Sequence, residues 1–364
     1  MRILIAPQEY KGTLTAEAAA SAMAEGAQRA LPDSDVDVLP LADGGPGTVR
    51  AIIRAAGGEL RTERVTGPLG TPVDAEWGLL TDGAAVIEMA AAAGLVLVPE
   101  AQRDPRITTT YGVGELVRAA LEAGSRRIIV GLGGSATNDG GAGMAQALGA
   151  RLLDAEGREL PPGGGGLARL ERIDATKIDG RLAECAVLGA TDVRNPLVGP
   201  EGASIVYGPQ KGASAEVARE LDEALSRYAD IIGRDLRMRV GDIPGAGAAG
   251  GLGAGLIAFL RAEIRPGIEV VAEAVRLRER IRGADLVVTG EGRLDGQTLY
   301  GKTVAGVARI AREVSVPVIV VPGALGDGWE SLRALFEAIE PVGEARGDPA
   351  AALVDAVERV LKRR

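Results

Sequence analysis

The stretch Ala284-Asp-Leu-Val-Val-Thr-Gly-Glu-Gly-Arg-Leu-Asp-Gly-Gln-Thr-Leu-Tyr-Gly-Lys-Thr303 decides how the chain is read. The apolar run at its start has the character of a buried strand, and it empties into a glycine-rich loop followed by a helical pattern. A strand, a glycine turn and a helix start bring backbone N–H groups together where the helix dipole favours an anion, which makes Gly290 a candidate phosphate contact. Glu291 and Asp295 are candidate ligands for Mg²⁺, a hard cation that takes carboxylate and phosphate oxygens. Arg293 and Lys302 are candidate partners for negative charge. The chain has no histidine, so acid–base work falls to Asp, Glu, Lys, Arg, Ser, Thr or Tyr. That set suits phosphoryl transfer, in which positioning and electrostatics carry most of the effect.

Outward from this loop, strand-like runs alternate with amphipathic segments, the signature of a layered α/β protein with largely parallel sheets. Arg2–Ala6 and Val36–Leu41 read as strands around a helix at Ala16–Ala30, with a further helix at Val49–Ala56. Short strand-like runs at 64–65, 73–80 and 85–89 are separated by Gly-Pro-Leu-Gly-Thr-Pro and Thr-Asp-Gly turns and mark the entry to a different domain. Gly114–Ala123 reads as a helix, Arg127–Val130 and Leu182–Gly189 as strands, Ala215–Leu236 as a long helix and Gly245–Ala262 as a buried one. The strand–helix rhythm of the first residues returns after Ala284. The simplest accommodation is a Rossmann-like three-layer domain built from residues 1–70 and 284–364, with residues 71–283 inserted as an α/β domain with a mixed sheet. A cleft between two such halves is the expected active site.

Composition sets the outer bounds. Apolar residues make up 46% and aromatics only 2%, so the cores are aliphatic. A net charge of −9 argues against general attraction to nucleic acid or an anionic membrane, and an anionic substrate then needs a local basic pocket. No apolar run reaches membrane-spanning length, and the opening residues are too soon broken by Pro7 for a signal peptide. The single cysteine, Cys185, reads as a buried strand thiol that fits a reducing cytoplasm.

Four loops share one layout, a hydrophobic strand followed by glycines and acids: 42–48, 131–143, 190–196 and 289–298. In open α/β sheets ligands sit beyond the carboxyl ends of strands, so four such loops point to a site more than any lone Asp-Gly turn does. Two pattern matches compete. Gly296-Gln-Thr-Leu-Tyr-Gly-Lys-Thr303 satisfies the P-loop expression, but a P-loop begins at the end of its strand and here Glu-Gly-Arg-Leu-Asp intervenes. Gly131-Leu-Gly-Gly-Ser-Ala136 fits a dinucleotide expression, but the glycines that follow would break the helix that motif opens. The basic candidates in loops are Lys11, Lys211, Arg194, Arg293 and Lys302.

The order of motifs adds a resemblance. Ala42-Asp-Gly-Gly-Pro-Gly-Thr48, Val86-Ile-Glu-Met-Ala-Ala91, Thr108-Thr-Thr-Tyr-Gly112, Gly133-Gly-Ser-Ala-Thr-Asn-Asp-Gly-Gly141, Gly208-Pro-Gln-Lys-Gly212, Pro244-Gly-Ala-Gly-Ala-Ala-Gly-Gly251 and Thr289-Gly-Glu-Gly-Arg-Leu-Asp-Gly-Gln-Thr298 closely resemble the type I glycerate kinases. The resemblance implies ATP- and Mg²⁺-dependent phosphorylation of glycerate. Two departures stand out: the first loop, where the family's Ala-Pro-Asp-Ser-Phe-Lys reads Ala6-Pro-Gln-Glu-Tyr-Lys11, and the part after Gly328, which is shorter and less like the family. The expected product is 2-phosphoglycerate, with 3-phosphoglycerate the variant outcome. A P-loop-like ATPase and a nucleotide-binding regulator are the alternatives. Asp192 is the first candidate to accept the hydroxyl proton and Asp139 the second, with Lys302 beside the phosphates. Lys11, Arg293, Lys211 and Asp43 are candidates for glycerate; Gly133, Gly134, Ser135, Asn138 and Gly290 for ATP; Glu291 and Asp295 for metal. The expected assembly is a monomer or homodimer without nucleic-acid or membrane partners.

Overall fold

The computed structural model describes residues 1–296, 298, 303–343 and 347–364. Lys302 lies outside the described residues. In chain order the strands are β1 (Arg2–Ile5), β2 (Asp35–Val38), β3 (Gly58–Thr66), β4 (Pro72–Leu80), β5 (Ala85–Glu88) and β6 (Arg127–Gly131). They continue with β7 (Arg151–Leu153), β8 (Arg172–Asp174), β9 (Ala186–Ala190), β10 (Glu263–Arg265) and β11 (Leu286–Thr289). The last are β12 (Arg293–Leu294), β13 (Val318–Val320), β14 (Ala324–Leu325) and β15 (Ala338–Ile339). The fold is α/β, and the chain divides into two compact units: residues 1–43, 54–56 and 267–364, and residues 44–53 and 57–266. The sequence division runs instead at 70 and 283. Two local facts place the observed boundaries: β3 pairs along its length with β4, and Ile268 packs where a Cβ on Gly306 would stand, 2.5 Å away.

The unit made from both chain ends carries a five-stranded sheet in the order β15-β13-β11-β1-β2, parallel throughout. Counting only its own strands, that order is 2-1-3-4-5, a doubly wound arrangement whose topological switch point lies between its first and third strands, β1 and β11. Ile3, Ile5, Leu286, Val288, Ile319 and Val321 bury one face of the sheet against the helices Ala16–Ala30 and Pro349–Lys362. Val320, on the opposite face, packs with Leu294, Val304 and Leu332. Full burial of each such aliphatic side chain contributes about 1.5–3 kcal/mol before entropy is charged against it. The three layers follow from strands that are apolar on both faces.

The inserted unit carries a six-stranded sheet in the order β10-β9-β6-β5-β4-β3. β5, β6, β9 and β10 run parallel, and β4 and β3 add an antiparallel hairpin at one edge. The sheet is mixed, and the loops that follow β6 and β9 emerge side by side because those strands are neighbours.

Three sequence readings are corrected. Residues 180–184 form a 3₁₀ turn and the strand begins only at Ala186, so Cys185 sits before the strand and is half-buried. Burial raises its thiol pKa and the nearby Arg126 opposes that shift. Val36–Leu41 ends as a strand at Val38. The helix Ala248–Leu260 is buried throughout but broken near its start, where Ala249, Gly250 and Gly251 adopt left-handed backbone.

Candidate active site

At the switch point of the first unit, the β1 loop is pressed onto the β11 loop. The Gln8 N–H donates to the Gly290 carbonyl at 2.9 Å, and the Tyr10 hydroxyl donates to the Val321 carbonyl at the end of β13. A Cβ on Gly290 would stand 2.1 Å from the Tyr10 hydroxyl, so glycine is required there for packing. The Thr289 hydroxyl donates to the Ala6 carbonyl at 2.7 Å and ties the two strand ends together.

Charged groups converge on this edge. Asp43 follows the extended segment whose Leu41 N–H bonds the Pro7 carbonyl at 2.9 Å, and its carboxylate accepts from the Gln8 side-chain amide at 2.5 Å. Gln8 is only 5% exposed. Its pairing was not legible in sequence because an isolated Gln carries no spacing signal. Burial raises the pKa of Glu9; Lys11 pulls it down and Asp43 pushes it up, so Lys11, Glu9 and Asp43 lie within electrostatic reach of one another. Lys11 and Arg293 are exposed, whereas Glu291 and Gly290 are buried. Glu291 accepts from the Thr298 hydroxyl at 2.8 Å. Burial and the Glu291 charge both raise the Tyr10 phenol pKa. Lys11, Asp43, Gly290, Glu291, Arg293 and Asp295 therefore belong to the loops after three adjacent strands of one sheet.

The P-loop reading does not fit this edge. Between the end of β11 and Gly296 the chain forms β12, which pairs with β14, so Gly296 does not follow the strand; Gln297 and Leu299–Lys302 lie outside the described residues. Among the described residues no group of three or more acids, cysteines or histidines is arranged for a metal. Glu291 and Asp295 are carboxylates on the segment after β11, the donor type that Mg²⁺ takes together with phosphate oxygens.

In the inserted unit, the loop after β6 turns through Gly133 and Gly134, the latter with φ +73°. A Cβ on Gly133 would meet Gly45 at 2.6 Å, and one on Gly131 would meet the Gly44 carbonyl at 2.4 Å. Gly134 is exposed, while Ser135, Asn138 and Asp139 are buried. No helix opens within Gly131–Ala136: Leu95 N–H bonds the Gly134 carbonyl at 2.8 Å, and the next helix is Ala142–Ala147. That geometry removes the dinucleotide reading.

Asp139 is fully buried and accepts from the Thr110 N–H at 2.8 Å, the Thr110 hydroxyl at 2.9 Å, and the Gly141 and Gly143 N–H groups at 3.1 and 3.2 Å. Burial raises its pKa against the pull of those donors. Both oxygens are engaged, as in a carboxylate that staples a loop. Thr110 has its role here, and the Thr108 hydroxyl donates to the Ala136 carbonyl of the same loop at 2.9 Å; the sequence marked this run as part of a motif ahead of a helix without showing what it holds. Asn138 donates to the Ser204 hydroxyl at 2.8 Å. Lys211 is 2% exposed, so it is neither the surface charge nor the open cation its loop setting suggests. Asp192 follows β9 and is half-buried on the strand-end edge beside the β6 loop.

A glycine-rich strand-end loop over buried donors, and a switch point lined with cations and carboxylates, are the equipment of phosphoryl transfer to a small anionic acceptor. Comparison with known proteins agrees. The family model described as the glycerate kinase family matches residues 3–363. The chain is 53% identical to a glycerate kinase of Halalkalibacterium halodurans over 91% of its length and 87% of that protein's. It is 51% identical to glycerate 2-kinase of Escherichia coli K12, covering 94% of this chain and 92% of that one. A crystal structure from Salmonella typhimurium LT2, of a protein provisionally called glycerate kinase 2, superposes with a TM-score of 0.88 at 49% identity, covering 100% of this chain and 96% of that one. The chain belongs to the glycerate kinase family.

Proposed function

We propose that the protein transfers the γ-phosphoryl group of ATP to the 2-hydroxyl of D-glycerate, giving 2-phosphoglycerate, in a cytoplasmic setting. The observation that carries the reading is the switch point of the first unit, where the loops after β1, β2 and β11 bring Lys11, Asp43, Glu291 and Arg293 to one sheet edge. The name of the relative from Escherichia coli supports the choice of the 2-hydroxyl.

Lys11 and Arg293 serve the substrate carboxylate. They are exposed, so a carboxylate reaches them without prior opening of the loop. Asp43, oriented by the Gln8 amide, takes a substrate hydroxyl. The exposed backbone at Gly134 gives its N–H to a phosphate oxygen, because no Cβ stands in the way, while the half-buried Gly133 donates to the Gly44 carbonyl at 3.2 Å and shapes the turn. Glu291 and Asp295 would hold Mg²⁺, which when bound neutralises charge on the phosphates. Asp192 orients the attacking hydroxyl and accepts its proton. Asp139 is set aside from that role because its lone pairs are already filled.

Asp192→Asn tests the chemistry. Turnover should fall by about two orders of magnitude or more while the KM for ATP stays within about twofold, and near-normal turnover would remove Asp192 from the mechanism. Asp295→Ala should shift the Mg²⁺ titration of activity to higher concentration; an unchanged titration excludes it as a ligand.

A further inference from the structure

The turn at Gly133 and Gly134, half-buried at the first and exposed at the second, rests on three consecutive residues that are pinned from different directions. The Lys211 ammonium donates to the Thr137 carbonyl at 2.7 Å. Asn138 donates to Ser204, and Asp139 collects donors from Thr110, Gly141 and Gly143. Behind the Thr137 carbonyl lies Gly250, whose Cβ, if present, would stand 1.8 Å from that oxygen. The carbonyl is therefore held between an ammonium and a glycine face.

The segment that delivers Lys211 is itself fixed. It is the short 3₁₀ turn Pro209–Lys211, closed by Gly212 with φ +96°. A Cβ on Gly212 would fall 2.2 Å from the Arg103 carbonyl. The side chain points inward to the base of the loop.

We infer that Lys211 is a positioning residue: it fixes the Thr137 carbonyl, and through it the Gly133–Ala136 turn, and it does not touch the substrate. The inference rests on the reading of that turn as the phosphate-facing loop. Burial lowers the Lys211 pKa to about 7, and the facing Asp139 opposes the shift. The Tyr228 phenol, raised by burial and by Asp139, is also buried beside this acid. A neutral amine still donates, so the bond to Thr137 persists on either side of the Lys211 midpoint.

The chain has five lysines, Lys11, Lys177, Lys211, Lys302 and Lys362, so ¹³Cε-lysine NMR of the wild-type protein resolves the question directly. The Lys211 resonance should titrate near neutral pH, with the same midpoint in the presence of saturating D-glycerate. A midpoint that rises by a unit or so on adding glycerate would mean direct contact with the acid, and would overturn the inference. In steady-state kinetics Lys211→Met should raise the KM for ATP or lower the turnover number about tenfold, with the KM for glycerate within about twofold. A glycerate KM raised tenfold, or no kinetic change at all, would also overturn it. If the variant does not fold, the wild-type titration decides alone. Gly134→Val separates the two claims: if it leaves the KM for ATP unchanged, the phosphate-facing reading of the turn fails, whatever Lys211 does.

Discussion

Gln8 illustrates what a single residue can change at a strand end. An amide donates to the Asp43 carboxylate without needing a proton from solvent, whereas a carboxyl at that position must either be protonated or repel Asp43. Glu9 and Lys11 stand in the same electrostatic neighbourhood, so the balance is close. Gln8→Glu places two carboxyls within hydrogen-bond reach, and like charges at that range raise one pKa. The acid limb of the kcat/KM profile for glycerate should move up by about one pH unit or more; an unmoved limb would show that Asp43 needs no oriented donor. The glycine–acid composition of the Asp43 and Glu291 loops was legible from sequence, because strand-end glycines and carboxylates are local signals. The burial of Lys211 and the filled lone pairs of Asp139 were not, because Lys211 finds its partner in Thr137 and Asp139 finds two of its donors in Thr110, each distant from it in sequence.

At the scale of elements, Gly250 in the Ala248–Leu260 helix start and Gly83 in the turn after β4 separate two causes of glycine preference. Gly250 has φ +68°, and a Cβ there would meet the Thr137 carbonyl; Gly83 has φ +82°, with open space around it. Gly83→Ala should cost about 1–2 kcal/mol, the left-handed backbone penalty alone. Gly250→Ala should cost roughly 3 kcal/mol or more, since overpacking against fixed backbone adds to that penalty. Denaturant unfolding of the two variants checks this, and equal losses would contradict the close approach. The long helix at residues 215–235 followed from its amphipathic period, and the apolar strands from their composition. The antiparallel β7–β8 pair and the helices Gly267–Ala274 and Leu277–Arg282 did not, because they are short and their apolar positions take meaning only from the neighbours they cover. The kink at Ala249–Gly251 escaped for the same reason: a Gly/Ala run reads as helix until a second backbone occupies the space.

For the whole molecule, topology explains why the loops matter more than any motif within them. The order 2-1-3-4-5 places the switch point at β1 and β11, residues separated by most of the chain, and sequence alone shows only that both ends share a rhythm. Among the described residues no helix is long and apolar enough to cross a membrane. With a net charge of −9, the proposed recognition of an anionic acid falls to local cations, Lys11 and Arg293 in the proposal, rather than to a general field. The central claim is phosphorylation of glycerate at its 2-hydroxyl, and ³¹P NMR of purified protein with Mg-ATP and D-glycerate, beside a control lacking glycerate, tests it most directly. The account predicts ADP and a new phosphomonoester resonance that co-adds with authentic 2-phosphoglycerate, both dependent on glycerate. A resonance matching 3-phosphoglycerate would contradict the regiochemistry, and ADP with free phosphate in both samples, or ATP left intact, would contradict the account itself.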